Sequence, residues 1–192
     1  MPTLIVPFGG NSAKQRLAVP DEARTTLAHA MLEDVVAACV DIGRTVVVSP
    51  DPIELDVEIV RDDGHSQGAA VERALDEANP AGPVVIVNAD LPCATPRDLL
   101  ALIGSIPAGG IALVEACDGT TNALALASRD LFKPVYGPGS AARFRRLAPT
   151  AVTAIPNLID DVDDLWDLIR LRGRVGPHTR LSLEGARLGV PR

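Results

Sequence analysis

An α/β fold is expected, three layers deep, with a mostly parallel mixed sheet covered by helices on both faces. Three observations lead there. Short β-branched runs alternate with segments of helical periodicity, the order that builds a parallel sheet through crossover helices. The run Val84-Val85-Ile86-Val87 is apolar throughout, as a central strand buried on both faces should be. Clusters of Pro and Gly, such as Asn79-Pro80-Ala81-Gly82-Pro83, punctuate the segments, because these residues end regular structure.

Thr3 to Phe8 reads as the first strand, and Gly9-Gly10-Asn11-Ser12 as the loop that leaves it. Pro20-Asp21 starts a helix whose apolar stripe is Leu27, Met31, Val35 and Ala38. Thr45 to Val48 is a second strand, stopped by Ser49-Pro50-Asp51-Pro52. A short strand near Val57 to Val60 and a helix from about Ser66 to Ala78 follow. After the central strand at Val84, Pro96 and Asp98 open a helix ending near Ser105. Ile111 to Val114 and Asn122 to Ala127 form two strands around a turn at Asp118-Gly119. Gly137-Pro138-Gly139-Ser140 opens a helix running towards Leu147. Ala151 to Ile155 is the last strand and Asp164 to Leu171 the last helix, with an irregular arm expected from 173 to 192.

The 192 residues suit one domain, 1–192, large enough for a full core. The formal net charge of −7 excludes the basic surface that broad nucleic-acid binding needs. Aromatic residues make up 3%, too few for base stacking on exposed rings. The opening Met1-Pro2-Thr3-Leu4 has neither the basic region nor the apolar core of a signal peptide, and no run is long enough to span a membrane. Cys39, Cys93 and Cys117 lack metal-ligand spacing and are expected as buried, reduced thiols in a cytoplasmic protein. No oligomeric state is legible in the sequence.

Asp90 is the leading candidate for chemistry. It follows the central strand, in Asn88-Ala89-Asp90-Leu91-Pro92, and ligands of open α/β sheets bind at that edge. A carboxylate there suits Mg²⁺ with a bound polyphosphate, although a turn or capping aspartate looks the same in sequence. In Asp160-Asp161-Val162-Asp163-Asp164, four carboxylates crowd together and repel unless a cation or a helix N-terminus stabilises them. Asp163 or Asp164 reads as the cap of the following helix, and one carboxylate earlier in the run as a partner of Asp90 at a metal.

Gly9 and Gly10 allow backbone amides to approach phosphate oxygens, with Lys14 and Arg16 close behind. The alternative is a solvated loop carrying two surface cations. The spacing is not that of a Walker loop, and no dinucleotide glycine fingerprint is present. Gly119-Thr120-Thr121-Asn122 and Gly137-Pro138-Gly139-Ser140 offer donors at a strand start and a helix start; each is an anion site or simply a turn. Arg143, Arg145 and Arg146 place positive charge behind the second, which favours a phosphorylated small substrate. His29, His65 and His178 show no ligand spacing, and no histidine or cysteine is placed as a nucleophile. Direct metal-assisted transfer between two substrates fits that pattern.

Together these stretches resemble the guanylyltransferase family of coenzyme F420 biosynthesis, whose members join GTP to phosphoenolpyruvate or 2-phospho-L-lactate. The resemblance is carried by Ala13-Lys14-Gln15-Arg16-Leu17-Ala18, Asn88-Ala89-Asp90-Leu91-Pro92, Gly119-Thr120-Thr121-Asn122-Ala123-Leu124 and Tyr136-Gly137-Pro138-Gly139-Ser140-Ala141-Ala142-Arg143-Phe144. Asp161-Val162-Asp163 and Asp167-Leu168 support it. It implies a compact nucleotidyltransferase fold with a Rossmann-like sheet. It implies that Asp90 and Asp161 hold Mg²⁺, that Asn122, Gly137 and Ser140 bind the phosphorylated acid, and that Lys14 and Arg16 face the triphosphate. The chain departs from the family pattern at Gly9-Gly10, where a basic residue is usual, and at Ser66-Gln67-Gly68-Ala69-Ala70, where an Asn is usual. The expected reaction is guanylyl transfer from GTP to phosphoenolpyruvate. The alternatives are transfer to 2-phospho-L-lactate or 3-phosphoglycerate, or a nucleotide-binding relative without activity.

Overall fold

The computed structural model describes residues 1–10, 17 and 19–185. Among these, seven strands form one sheet: β1 (Thr3–Pro7), β2 (Arg44–Ser49), β3 (Glu58–Arg61), β4 (Val84–Val87), β5 (Ile111–Glu115), β6 (Thr121–Leu126) and β7 (Thr150–Val152). Their order is β3-β2-β1-β4-β6-β5-β7. Ile5 pairs with Val46 on one side and Ile86 on the other, both in parallel register. β6 runs antiparallel to β4 and β5, whereas β5 and β7 are parallel. The sheet is therefore mostly parallel and mixed, as expected, and β6 is its reversed strand. The reversal follows from the short turn between β5 and β6, which has no room for a crossover helix.

Strand side chains alternate between two cores, as the twofold period of a strand requires. On one face Leu4, Val6, Val85 and Val87 pack with Leu32 and Val35 of helix α1 (Asp21–Val40) and Leu99 and Leu102 of helix α3 (Pro96–Gly104). On the other, Ile5, Val84, Ile86 and Leu124 pack with Val71 and Leu75 of helix α2 (Gln67–Ala78) and Phe144 of helix α4 (Ser140–Phe144). A strand covered on both sides has no polar face, which is why Val84 to Val87 carries no polar residue. The helix boundaries are set locally. Ser66 accepts a hydrogen bond from the Ala69 amide, and Asn79 ends α2 in the left-handed region. Thr95 and Asp98 form a capping box with Pro96 in the first turn of α3.

Three expectations are corrected. The strand expected over Ala151 to Ile155 is Thr150–Val152, and the next residues form helix α5 (Pro156–Ile159), because Pro156 cannot donate to a ladder but suits a first helical turn. Past helix α6 (Leu165–Leu171), the expected irregular arm contains helix α7 (Pro177–Gly185) against α1. Asp34 of α1, itself buried, accepts from the His178 and Thr179 amides and so caps α7 from a distant part of the chain. Cys39 and Cys93 are buried as expected, but Cys117 is exposed. No helix among the described residues is long and apolar enough to cross a membrane.

Candidate active site

β4 ends at Val87 and releases Asn88-Ala89-Asp90 at the carboxyl edge of the sheet. Two backbone hydrogen bonds hold this segment between other parts of the chain. The Asn88 amide donates to Asn122 O (3.0 Å), and the Val162 amide donates to Asp90 O (3.0 Å). The second bond lays the acidic run beside Asp90. Carboxylate oxygens of Asp90, Asp161 and Asp163, all half-buried, come within 4.8 Å of one another.

The four crowded carboxylates have separate roles. Asp160 binds Arg170 (2.7 Å) and Arg174 (2.9 Å). Burial pushes its carboxyl up, but those two guanidinium groups outweigh it and hold the group below the ordinary range. Asp164 is the cap of α6, accepting from the Trp166 and Asp167 amides. Asp161 and Asp163 remain turned towards Asp90. Burial, and then the charge of Asp90, raise the Asp161 carboxyl to about 6, against an opposing hydrogen bond from Asn122. A group of like charges held this close in a partly dry site is what a hard divalent cation relieves. The donor set, three carboxylates with oxygen ligands only, fits such a cation.

Asn122 is almost fully buried at 1% exposure, and its Nδ2 donates to Ile159 O (2.9 Å) and Asp161 Oδ1 (3.4 Å). It thereby ties the acidic run to β6. Ser140 is fully buried, with its Oγ 3.0 Å from Thr121 Oγ1, and the Ala141 amide donates to Gly119 O. These bonds bring the Gly119–Asn122 segment, which runs into the start of β6, together with the Gly137–Ser140 segment that lies beyond that strand in sequence. Gly137 and Gly139 both have positive φ, at 101° and 69°, which only glycine adopts without strain. Arg143 spends its donors on the carbonyls of Val135, Tyr136, Gly137 and Pro138. It grips the turn, and Arg145 pairs with Glu115. These two of the three arginines therefore shape the segment around the turn, where the sequence suggested a positive patch.

A cleft of about 660 Å³ opens beside Asp90. Gly9, Asp51, Asp62, Gln67 and Asn88 line it, and Phe8, Met31 and Pro50 supply apolar wall. Gly10 sits behind Gly9 with φ 70°, and a Cβ there would stand 2.3 Å from Asp51 Oδ2. Gly10 thus has a steric cause: Asp51 occupies the space a side chain would need. Gln67 Nε2 donates to Asn88 Oδ1 (2.6 Å), and Asn88 Nδ2 donates to Thr121 O (3.3 Å). Lys14 and Arg16 lie outside the described residues.

Asp51, Asp62, Gln67 and Asn88 were not given a site role from sequence, and Asp163 was read there as an alternative to Asp164 for the helix cap, whereas it meets Asp90 and Asp161. Asp51 and Asn88 carried a usable signal, since each follows a buried strand as Asp90 does. Asp62 follows β3, but that strand is short and only partly buried, so its signal is weaker, and Gln67 gave none, because a polar residue at a helix start has many ordinary uses. Asp163 and Asp164 are neighbours of one type, and which one caps depends on where α6 begins.

Residues 2–149 match the family model described as guanylyl transferase CofC like. The chain is 34% identical to a phosphoenolpyruvate guanylyltransferase of Streptomyces scabiei, over 98% of this chain and 98% of that protein. It is 32% identical to a 2-phospho-L-lactate guanylyltransferase of Natrialba magadii, over 88% of this chain and 82% of that one. Among solved structures, a protein of Desulfovibrio desulfuricans described as a nucleotide-diphospho-sugar transferase superposes with a TM-score of 0.73 at 16% identity, covering 96% of this chain and 95% of that one. The 2-C-methyl-D-erythritol 4-phosphate cytidylyltransferase of Thermus thermophilus gives 0.62 at 17% identity, covering 87% and 95%. The fold is that of the nucleotidyltransferases.

Proposed function

The chain belongs to the CofC-like guanylyltransferase family, and from that premise we propose that it joins GTP to phosphoenolpyruvate, releasing pyrophosphate, in coenzyme F420 biosynthesis. It is a nucleotidyltransferase. The observation that carries the mechanism is the meeting of Asp90, Asp161 and Asp163 at the carboxyl edge of β4, at one end of the cleft.

In this reading a phosphate oxygen of phosphoenolpyruvate attacks the α-phosphorus of GTP in line. A new P–O bond forms as the bond to the β-phosphate oxygen breaks, and pyrophosphate leaves. Asp90 and Asp161, with Asp163 beside them, would hold Mg²⁺, which when bound neutralises phosphate charge and fixes the reacting groups. Asn122 keeps Asp161 in place through its hydrogen bond. Gly9 and Gly10 present backbone to the triphosphate, and Lys14 and Arg16 are assigned to its negative charge. The acid is assigned to the Gly137–Ser140 turn where it meets Asn122, with Arg143 maintaining the shape of that turn. One domain, 1–192, in the cytoplasm carries the whole activity, with no nucleic acid or membrane partner.

The second reading is 2-phospho-L-lactate as acceptor, favoured by relatives carrying that name. Incubation of the enzyme and Mg²⁺ with each nucleoside triphosphate and each phosphorylated acid, with mass analysis of products, separates the two. Asp90→Asn is expected to lower turnover by orders of magnitude while retaining the wild-type circular dichroism spectrum. A near-wild-type rate in that variant would defeat the metal assignment.

A further inference from the structure

We propose that Asp62 reads the base of the nucleotide, its carboxylate receiving the N1–H and N2–H donors of guanine. The inference rests on the guanylyltransferase reading and names the residue that sets base preference at that site.

The sheet order supplies the geometry. The carboxyl ends of β3, β2, β1 and β4 stand in succession along the cleft. Asp90 follows β4 at one end, and Asp62 follows β3 at the other. Three strand spacings separate them, roughly 14 Å, comparable with the reach of a nucleotide from its phosphate to the far edge of its base. A triphosphate held near Asp90 therefore directs its base towards Asp62.

Asp62 is suited to that position. Its backbone amide donates to Ser49 O, which anchors the residue to the end of β2. Its Oδ1 is buried and has no hydrogen-bond partner among the described residues. A buried acceptor without a donor favours a ligand that supplies one. Asp51, the other carboxylate at this end, packs against the Gly10 turn. Gln67 is tied to Asn88.

The chemistry then chooses the base. Guanine presents two adjacent donors, N1–H and the N2 amine, matching the two oxygens of a carboxylate. Adenine places the N1 lone pair beside its amine, and cytosine places N3 likewise, so each turns an acceptor towards Asp62. Uracil offers one N–H between two carbonyl oxygens. Sites built around hydrogen bonds reject analogues that leave those bonds unmade.

The test compares wild type and Asp62→Asn with GTP, inosine triphosphate and xanthosine triphosphate, at saturating phosphoenolpyruvate and Mg²⁺, by pyrophosphate release. Inosine lacks the N2 amine, so wild type should use it at least about tenfold less efficiently than GTP. Asp62→Asn should lose roughly ten- to a hundredfold in kcat/KM for GTP. It should gain xanthosine triphosphate, because the new amide donates to the carbonyl at C2 of xanthine and accepts from N1–H. That gain also shows that the variant is folded. A wild type that uses inosine triphosphate as well as GTP overturns the proposal, as does an unchanged ratio of GTP to xanthosine triphosphate in the variant. Absence of pyrophosphate release by wild type with every acid overturns the guanylyltransferase reading instead. Displacement of a fluorescent guanine nucleotide by the same three triphosphates then decides Asp62, with the same expected pattern.

Discussion

Asn122 illustrates how one side chain can carry both stability and chemistry. It is polar and nearly fully buried, and its Nδ2 serves Ile159 O and Asp161 together. Removing it leaves the partly buried Ile159 carbonyl without its donor and frees Asp161 from its tether. Asn122→Ala is expected to lower unfolding free energy by ~1–3 kcal/mol, read from urea midpoints. It should also weaken Mn²⁺ or Mg²⁺ binding roughly 10–100-fold, as loss of a group orienting a metal ligand does, read by calorimetric titration. A variant less stable but with unchanged metal affinity would confine Asn122 to a structural role. The sequence marked this residue for a polar site but not for the partner it holds. An amide at a strand start shows its donors, whereas Ile159 and Asp161 reach it only across the folded chain.

At the scale of elements, the junction of α1 and α7 is the clearest case of distant parts completing one another. Helix N-termini leave amides unpaired, and Asp34 satisfies two of those of α7 from another helix. Gly176 lies so close that a Cβ would stand 2.4 Å from the Asp34 carboxylate. Asp34→Ala should cost ~0.5–2 kcal/mol, the usual worth of an N-cap. Gly176→Ala should cost ~1–3 kcal/mol through overpacking. Both are measurable by urea unfolding, and a neutral Gly176→Ala would show that the junction yields easily. Local caps such as Thr95 with Asp98 were legible because partner and helix are neighbours in sequence. The α7 cap was not, since its acceptor sits on the first helix. The helix opened at Gly137-Pro138-Gly139-Ser140 was legible from its turn, although it ends at Phe144, short of Leu147, whereas the four-residue α5 is too short for any period to announce it.

For the whole molecule, α1 is apolar on more than one side because it faces both the sheet core and a third cluster, built around α6 and completed by α7. Ala28, Leu32 and Val35 face the sheet core. Leu27 and Met31 join Val162, Leu168, Leu171 and Val175 in a third cluster, against which Leu183 of α7 packs. A chain ending at Gly176 would keep most of that cluster and uncover the part of α1 that α7 lies against. Losing the burial of one large apolar side chain is worth ~1.5–3 kcal/mol, so Tm should fall by roughly 3–12 °C; an unchanged Tm would mean that α7 rests on α1 without supporting it. The alternation of strands and helices, the buried run at Val84 to Val87, the helix caps made by near neighbours and the candidacy of Asp90 were all determined by sequence alone, because periodicity and local hydrogen bonding act over a few residues. The insertion of β6 between β4 and β5, the sorting of Asp160 to Asp164 into ion pair, metal candidates and cap, and the placing of Asp62 at the far end of the cleft from Asp90 were decided by tertiary structure. Each depends on which strands become neighbours, a choice made by the burial of whole faces that no short stretch of the chain contains.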